Sequence, residues 1–148
     1  MGELRNALRA YAAQNHPPHI LLQQLDHLLC LHQPGWTATV CIVLVEPGNA
    51  GRRVADAGHL TPLLLSPRRT PCFLSEHGPL LGLGLPQPSA VSQCVGPGSQ
   101  LLMITDGLIE TRNSDILDRL RLLGAIASNS QDDPDGLCTT LVDTFGKV

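Results

Sequence analysis

The chain has 148 residues, 43% of them hydrophobic and 16% charged, so it can bury a core and is not compositionally disordered. A net charge of -3, aromatics at 3% and no basic cluster larger than Arg52-Arg53 or Arg68-Arg69 argue against a nucleic-acid surface. Five cysteines at 30, 41, 72, 94 and 138 include no Cys-x-x-Cys pair. That argues against a disulfide framework or structural zinc and fits a reducing cytoplasm. The N-terminal stretch is amphipathic, and no apolar run approaches membrane-spanning length, so neither a signal peptide nor a membrane span is expected.

Leu4, Ala7, Leu8, Tyr11 and Ala12 recur at helical spacing. This helix should stop near Gln14-Asn15, before Pro17 and Pro18 open a second helix with the stripe Leu21, Leu22, Leu25, Leu28, Leu29. His16, His19, His27 and His32 do not place three ligands on one helical face, so they read as solvated or boundary residues. Trp36 to Val45 is rich in β-branched residues and reads as a strand. After the loop from Glu46 to Gly51, Arg52 to Ala57 reads as the returning strand of a hairpin. Leu60 to Leu65 is a further strand, with Pro62 suggesting an edge or bulge, and Cys72 to Leu74 a short one.

Gly78 to Gly98 is dense in Gly and Pro. It lacks the lysine and Ser/Thr of a phosphate loop, so a packed loop is expected. Val91 to Val95 is expected to pair with Leu101 to Thr105. Leu101 to Ile104 is an apolar run suited to a strand buried on both faces. Asp106-Gly107 follows at once. On local spacing it reads first as a turn signal, and second as a carboxylate held rigidly at a strand tip, with a Gly that lets a ligand approach. Ser114 is an expected N-cap for a helix whose apolar face is Ile116, Leu117, Leu120, Leu123 and Ile126. Asp133-Pro134 reads as N-cap and N1 of a last helix, with Leu137, Cys138, Leu141, Val142 and Phe145 inward. The order helices, antiparallel strands, helices is α+β, a mostly antiparallel sheet packed with helices.

Three stretches together resemble one family: Asp56-Ala57-Gly58-His59-Leu60-Thr61-Pro62-Leu63-Leu64-Leu65, Pro79-Leu80-Leu81-Gly82, and Pro97-Gly98-Ser99 through Asp106-Gly107-Leu108-Ile109-Glu110. In order and spacing they look like the sporulation stage II protein E branch of the metal-dependent type 2C (PPM) protein serine/threonine phosphatases. Leu4 to Leu29 is similar to that family's paired central helices. The resemblance implies a partial αββα sandwich forming one domain over 1–148. It implies hydrolysis of phosphoserine or phosphothreonine on a protein, often an anti-sigma-factor antagonist, in the bacterial cytoplasm. It also implies two manganese or magnesium ions, since hard cations prefer carboxylate oxygen and a metal pair can clamp phosphoryl oxygens. By resemblance Asp106 takes the position of a metal-binding aspartate, with Gly107 beside it.

Asp56 and His59, with Gly58 between them, are near-matches to the family's Asn/Asp-Ala-Gly-His motif, and read from the residues alone they form a tight bend with a locally bonded histidine. The family's Gly-Asp and Asp-Gly-His-Gly-like motifs, which supply its other metal aspartates, have no counterpart before Leu4, and Asp132-Asp133 is followed by a helix, where the family ends on a strand. The chain is therefore expected to be truncated at both ends relative to the family. One aspartate cannot assemble two ions that each want about six oxygen ligands. A non-catalytic remnant acting as a protein-interaction module is the alternative. The partners implied are a phosphoprotein or regulatory protein, with a homodimer as a further option.

Overall fold

A computed structural model describes residues 2–46, 51–67, 70–74, 77–111, 115–130 and 133–146, without the side chains of 93 and 94. Arg68-Arg69, Arg112, Ser114, Asp132 and most of the loop after Glu46 lie outside the described residues. The chain divides into two compact units, Met1–Thr61 with Ser75–Val95, and Pro62–Leu74 with Gly96–Val148.

In the first unit, α1 (Gly2–Ala12) ends through Asn15, whose φ of 57° turns the chain toward Pro17. Pro18 then occupies the first turn of α2 (Pro18–His32), where a missing N–H costs nothing. Leu21, Leu22, Leu25 and Leu29 are buried. They face a three-stranded antiparallel sheet in the order β1 (Val40–Val45), β2 (Gly51–Ala57), β5 (Val91–Cys94). The β1–β2 register pairs Val40 with Ala57, Cys41 with Asp56, and Ile42 with Ala55. Alternation along the strands therefore splits the sheet. Ala55, Ala57, Val40 and Ile42 pack with Leu22, Leu25 and Leu29, while Cys41 and Asp56 belong to the opposite face. Small alanines opposite leucines let helix and sheet approach closely. Leu4, Ala7, Leu8 and Tyr11 of α1 pack at the margin of this core.

The second unit holds a sheet in the order β4 (Cys72–Phe73), β3 (Leu63–Leu65), β6 (Gln100–Leu102), all antiparallel. Three helices follow: α3 (Asp106–Ile109), α4 (Ile116–Ser128) and α5 (Pro134–Phe145). Its core is Leu63, Leu65, Ile109, Leu123, Ala127, Leu137, Leu141 and Phe145. Asp133 caps α5 by accepting the Gly136 N–H, as its position before Pro134 implies. Asp115 caps α4 by accepting from the Leu117 N–H. Arg119 donates to the carbonyls of Leu108 and Phe145 and lies 4.9 Å from the Phe145 ring centroid. One guanidinium thus joins α3, α4 and α5.

Several expectations are corrected. Val91–Cys94 pairs with β2, and Gln100–Leu102 pairs with β3, so these two segments are not partners. β6 is an edge strand of half-buried residues, not one buried on both faces, and Met103 beyond it is 46% exposed. β1 begins at Val40, because Ala38 instead makes an isolated bridge with Leu81. β3 begins after Pro62, and β4 ends at Phe73. Ala12, Ile116, Leu117, Cys138 and Val142 are exposed. The true inward positions of α4 are Leu123 and Ala127.

Candidate functional site

Asp56, Gly58 and His59 form one turn at the end of β2. Gly58 has φ +66°, and a Cβ there would run into the Leu80 side chain. Its N–H donates to the Gly78 carbonyl at 2.9 Å, and the Gly78 N–H returns to the Asp56 carbonyl at 2.6 Å. The Asp56 side chain closes the turn, with Oδ1 accepting the His59 N–H at 2.8 Å. His59 Nδ1 lies 2.8 Å from the Leu60 carbonyl oxygen. A carbonyl only accepts, so Nδ1 carries the proton.

Asp56 is 2% exposed. Its Oδ2 is buried without a well-formed hydrogen bond, and the Cys41 thiol stands opposite across the strand pair. Burial raises the Asp56 carboxyl above its ordinary value, against the His59 N–H and the nearby His59 and His77 rings, which favour the charged form. Burial, followed by the Asp56 charge, pushes the Cys41 thiol up to about 12. A thiol in that state is a packing group and not a nucleophile.

Asp106 and Gly107 belong to the second unit. The chain leaves β6, passes the exposed Thr105 and enters α3, so Asp106 is the first helical residue. It is half-buried, and the Asp106 carbonyl accepts the Glu110 N–H at 2.7 Å. Ile109, wholly buried, anchors this short helix. Around Gly107 the space is open, as a residue facing a ligand would need, although an exposed turn has the same property.

Asp26 stands out among the residues that sequence reasoning passed over. It is 6% exposed within the apolar stripe of α2, and its Oδ1 accepts the Gly82 N–H at 2.6 Å. Gly82 has φ +92°, and a Cβ there would overlap the Trp36 carbonyl oxygen. With the reciprocal Ala38–Leu81 backbone bonds, Asp26 fixes the Pro79–Gly82 stretch to α2. The signal was present, as Asp26 falls four residues after Leu22 and three before Leu29, on the buried face. Gln87 is a second buried polar group that was missed. It donates to the Pro79 carbonyl and steadies the same stretch.

The scaffold is α+β, with antiparallel sheets and helices, and its class is that of the PPM-type phosphatase domains, as the family match shows. The chain belongs to the Stage II sporulation protein E (SpoIIE) family, whose model matches residues 1–148. A similar solved structure is that of the RsbU and RsbW domains of Rv1364c from Mycobacterium tuberculosis. It matches with a TM-score of 0.86 at 24% identity, over 98% of this chain. The present chain spans only 42% of that one's length. The likeness bears on the fold alone. A comparison with curated proteins finds no match.

PPM phosphatases generally use manganese or magnesium. Among the described residues no group of three or more His, Cys, Asp or Glu side chains is arranged to hold a metal ion. Asp56 spends one oxygen on a backbone N–H, and His59 spends Nδ1 on a carbonyl. The donor set described here does not fit a two-metal centre. No helix among the described residues is long and apolar enough to cross a membrane.

Proposed function

We propose that residues 1–148 are one partial phosphatase domain acting on phosphoserine or phosphothreonine of a bacterial cytoplasmic phosphoprotein, of the anti-sigma-factor-antagonist kind. The observation that carries this reading is the family match over the whole chain. Asp106, the first residue of α3, is the proposed metal carboxylate, with Gly107 leaving room beside it. Asp56, Gly58 and His59 are proposed as a rigid structural turn of the first unit, not as ligands, because Asp56 Oδ1 and His59 Nδ1 already hold the turn. Further carboxylates would have to come from outside the described residues, since a divalent ion takes about six oxygen ligands.

A second reading is a phosphatase-like module that binds a protein partner without turnover, motivated by the lack of a metal-ligand group among the described residues. Calorimetric titration of manganese into the chain, with Asp106→Ala as control, separates the two. Binding that the substitution abolishes, together with manganese-dependent hydrolysis of a phosphoserine peptide or p-nitrophenyl phosphate, supports the enzyme. A folded chain that neither binds manganese nor turns over either substrate overturns it and leaves the module.

A further inference from the structure

The first unit contains a cavity of about 460 Å³ between the start of α1, the end of α2 and the segment that follows it. Leu4, Leu28, Leu29 and Leu80 supply most of its apolar lining, with Thr37 and Thr39 among the polar residues. Such a volume suits a small organic ligand, and an apolar wall with a few fixed polar groups is the usual composition of a binding pocket. Two features of its rim narrow the chemistry.

The first is Glu3, the cavity's sole charged lining residue. One oxygen, Oε2, accepts from Gln33 Nε2 at 2.8 Å. The amide is a neutral donor, so it orients the carboxylate without cancelling its charge. Among the described residues no Lys or Arg pairs with Glu3. The second is Trp36, the chain's single tryptophan, which lines the cavity and is 67% exposed. A large indole left in water beside an apolar hollow is available to a ligand. Its backbone is held firmly: the Trp36 N–H donates to the Gln33 carbonyl, and the Trp36 carbonyl is crowded by Gly82. The backbone that carries the indole is thus fixed before anything binds, which reduces part of the ordering cost of association.

We propose that this cavity is a binding site for a small amphipathic organic cation, its apolar body against Leu28, Leu29 and Leu80 and its charged head between Glu3 and Trp36. A carboxylate and an aromatic face both attract a weakly hydrated cation, and both repel or ignore an anion. This site does not depend on the phosphatase reading.

Trp36 supplies the measurement, because its fluorescence reports on this rim alone. The probes are hexyltrimethylammonium, heptanoate and 1-heptanol, which share an apolar chain and differ in head charge. The expected result is a saturable change with the cation, weaker binding of the alcohol and none of heptanoate. Glu3→Gln, on an exposed first-turn residue, should weaken the cation about threefold while leaving the alcohol unchanged. Trp36→Leu, followed by thermal shift, should weaken it about three- to fivefold. No saturable response to the cation, equal binding of heptanoate, or cation affinity unchanged in folded Glu3→Gln and Glu3→Ala chains would each overturn the proposal.

Discussion

The two units solve the problem of buried polarity differently. In the first, Asp26, Asp56 and Gln87 are all buried, and each uses a side-chain atom to hold backbone from a distant or sharply turning segment. In the second, the fully buried side chains are apolar, and polar work falls to helix caps and to the half-buried Arg119. The difference follows from what each unit has to organise. The first must pin a Gly- and Pro-rich stretch that has no ladder of its own, whereas the second stacks short helices on a small sheet. Buried hydrogen bonds to an orphaned backbone group are costly to remove, because the remaining partner stays out of water. Buried apolar side chains are held by packing instead, and the cost of trimming one depends on how far its neighbours relax into the space. The first unit should therefore be the more sensitive to single polar substitutions.

The largest effect is expected at Gly82. Alanine there must adopt φ near +92° and place its Cβ against the Trp36 carbonyl, which is backbone and cannot swing away. Gly82→Ala should cost about 3 kcal/mol or more in chemical denaturation. Next comes Asp26→Ala, which leaves the half-buried Gly82 N–H without its acceptor and should cost about 2–3 kcal/mol. Asp26→Asn keeps an acceptor oxygen and should recover most of that loss. Equal losses for the two variants would show that the carboxylate's charge, not its hydrogen bond, matters.

In the second unit Arg119→Met is the matching experiment. It keeps much of the contact over Phe145 but strips the donor from the carbonyls of Leu108 and Phe145, two part-buried hydrogen bonds near helix ends. The expected cost is about 1 kcal/mol, read by the same denaturation. A loss as large as that of Asp26→Ala would erase the contrast between the units.

Much of this arrangement is legible in the amino-acid sequence. The stripe Leu21, Leu22, Leu25, Leu29 and the Asp133-Pro134 start of α5 depend on neighbours three or four residues away, which a sequence displays directly. The β1–β2 hairpin was readable for the same reason. The partners of β5 and β6 were not. Each short apolar segment carries its own alternation but no mark of which strand it will join, and β5 pairs across more than thirty residues. Asp106 was conspicuous as a carboxylate following an apolar run, but its helical start was not, because four residues are too few to show a period. The clamp at Asp26 was visible as a polar residue on an apolar face, and only its acceptor role needed the fold.

The smallest expected effect is at Asp56, and it tests whether a buried carboxylate in the first unit contributes through charge or through geometry. Its carboxyl is raised in the folded chain from 3.8, first by burial, with the His59 N–H and the rings of His59 and His77 opposing. The folded state therefore holds this proton more tightly than the unfolded state does. This contribution to stability is fully present below the unfolded value and is lost as pH rises through the raised folded value. Asp56→Asn cannot titrate, yet it can still accept the His59 N–H through Oδ1. The variant should lack this downward step, and at neutral pH it should be as stable as the natural chain or more so, by no more than about 1 kcal/mol. Denaturation midpoints between pH 3.5 and 7 provide the check. A variant that instead keeps the same pH profile would move the titration to another group, and one that is much weaker at pH 7 would mean that the charged carboxylate itself holds the turn against Cys41 and His59.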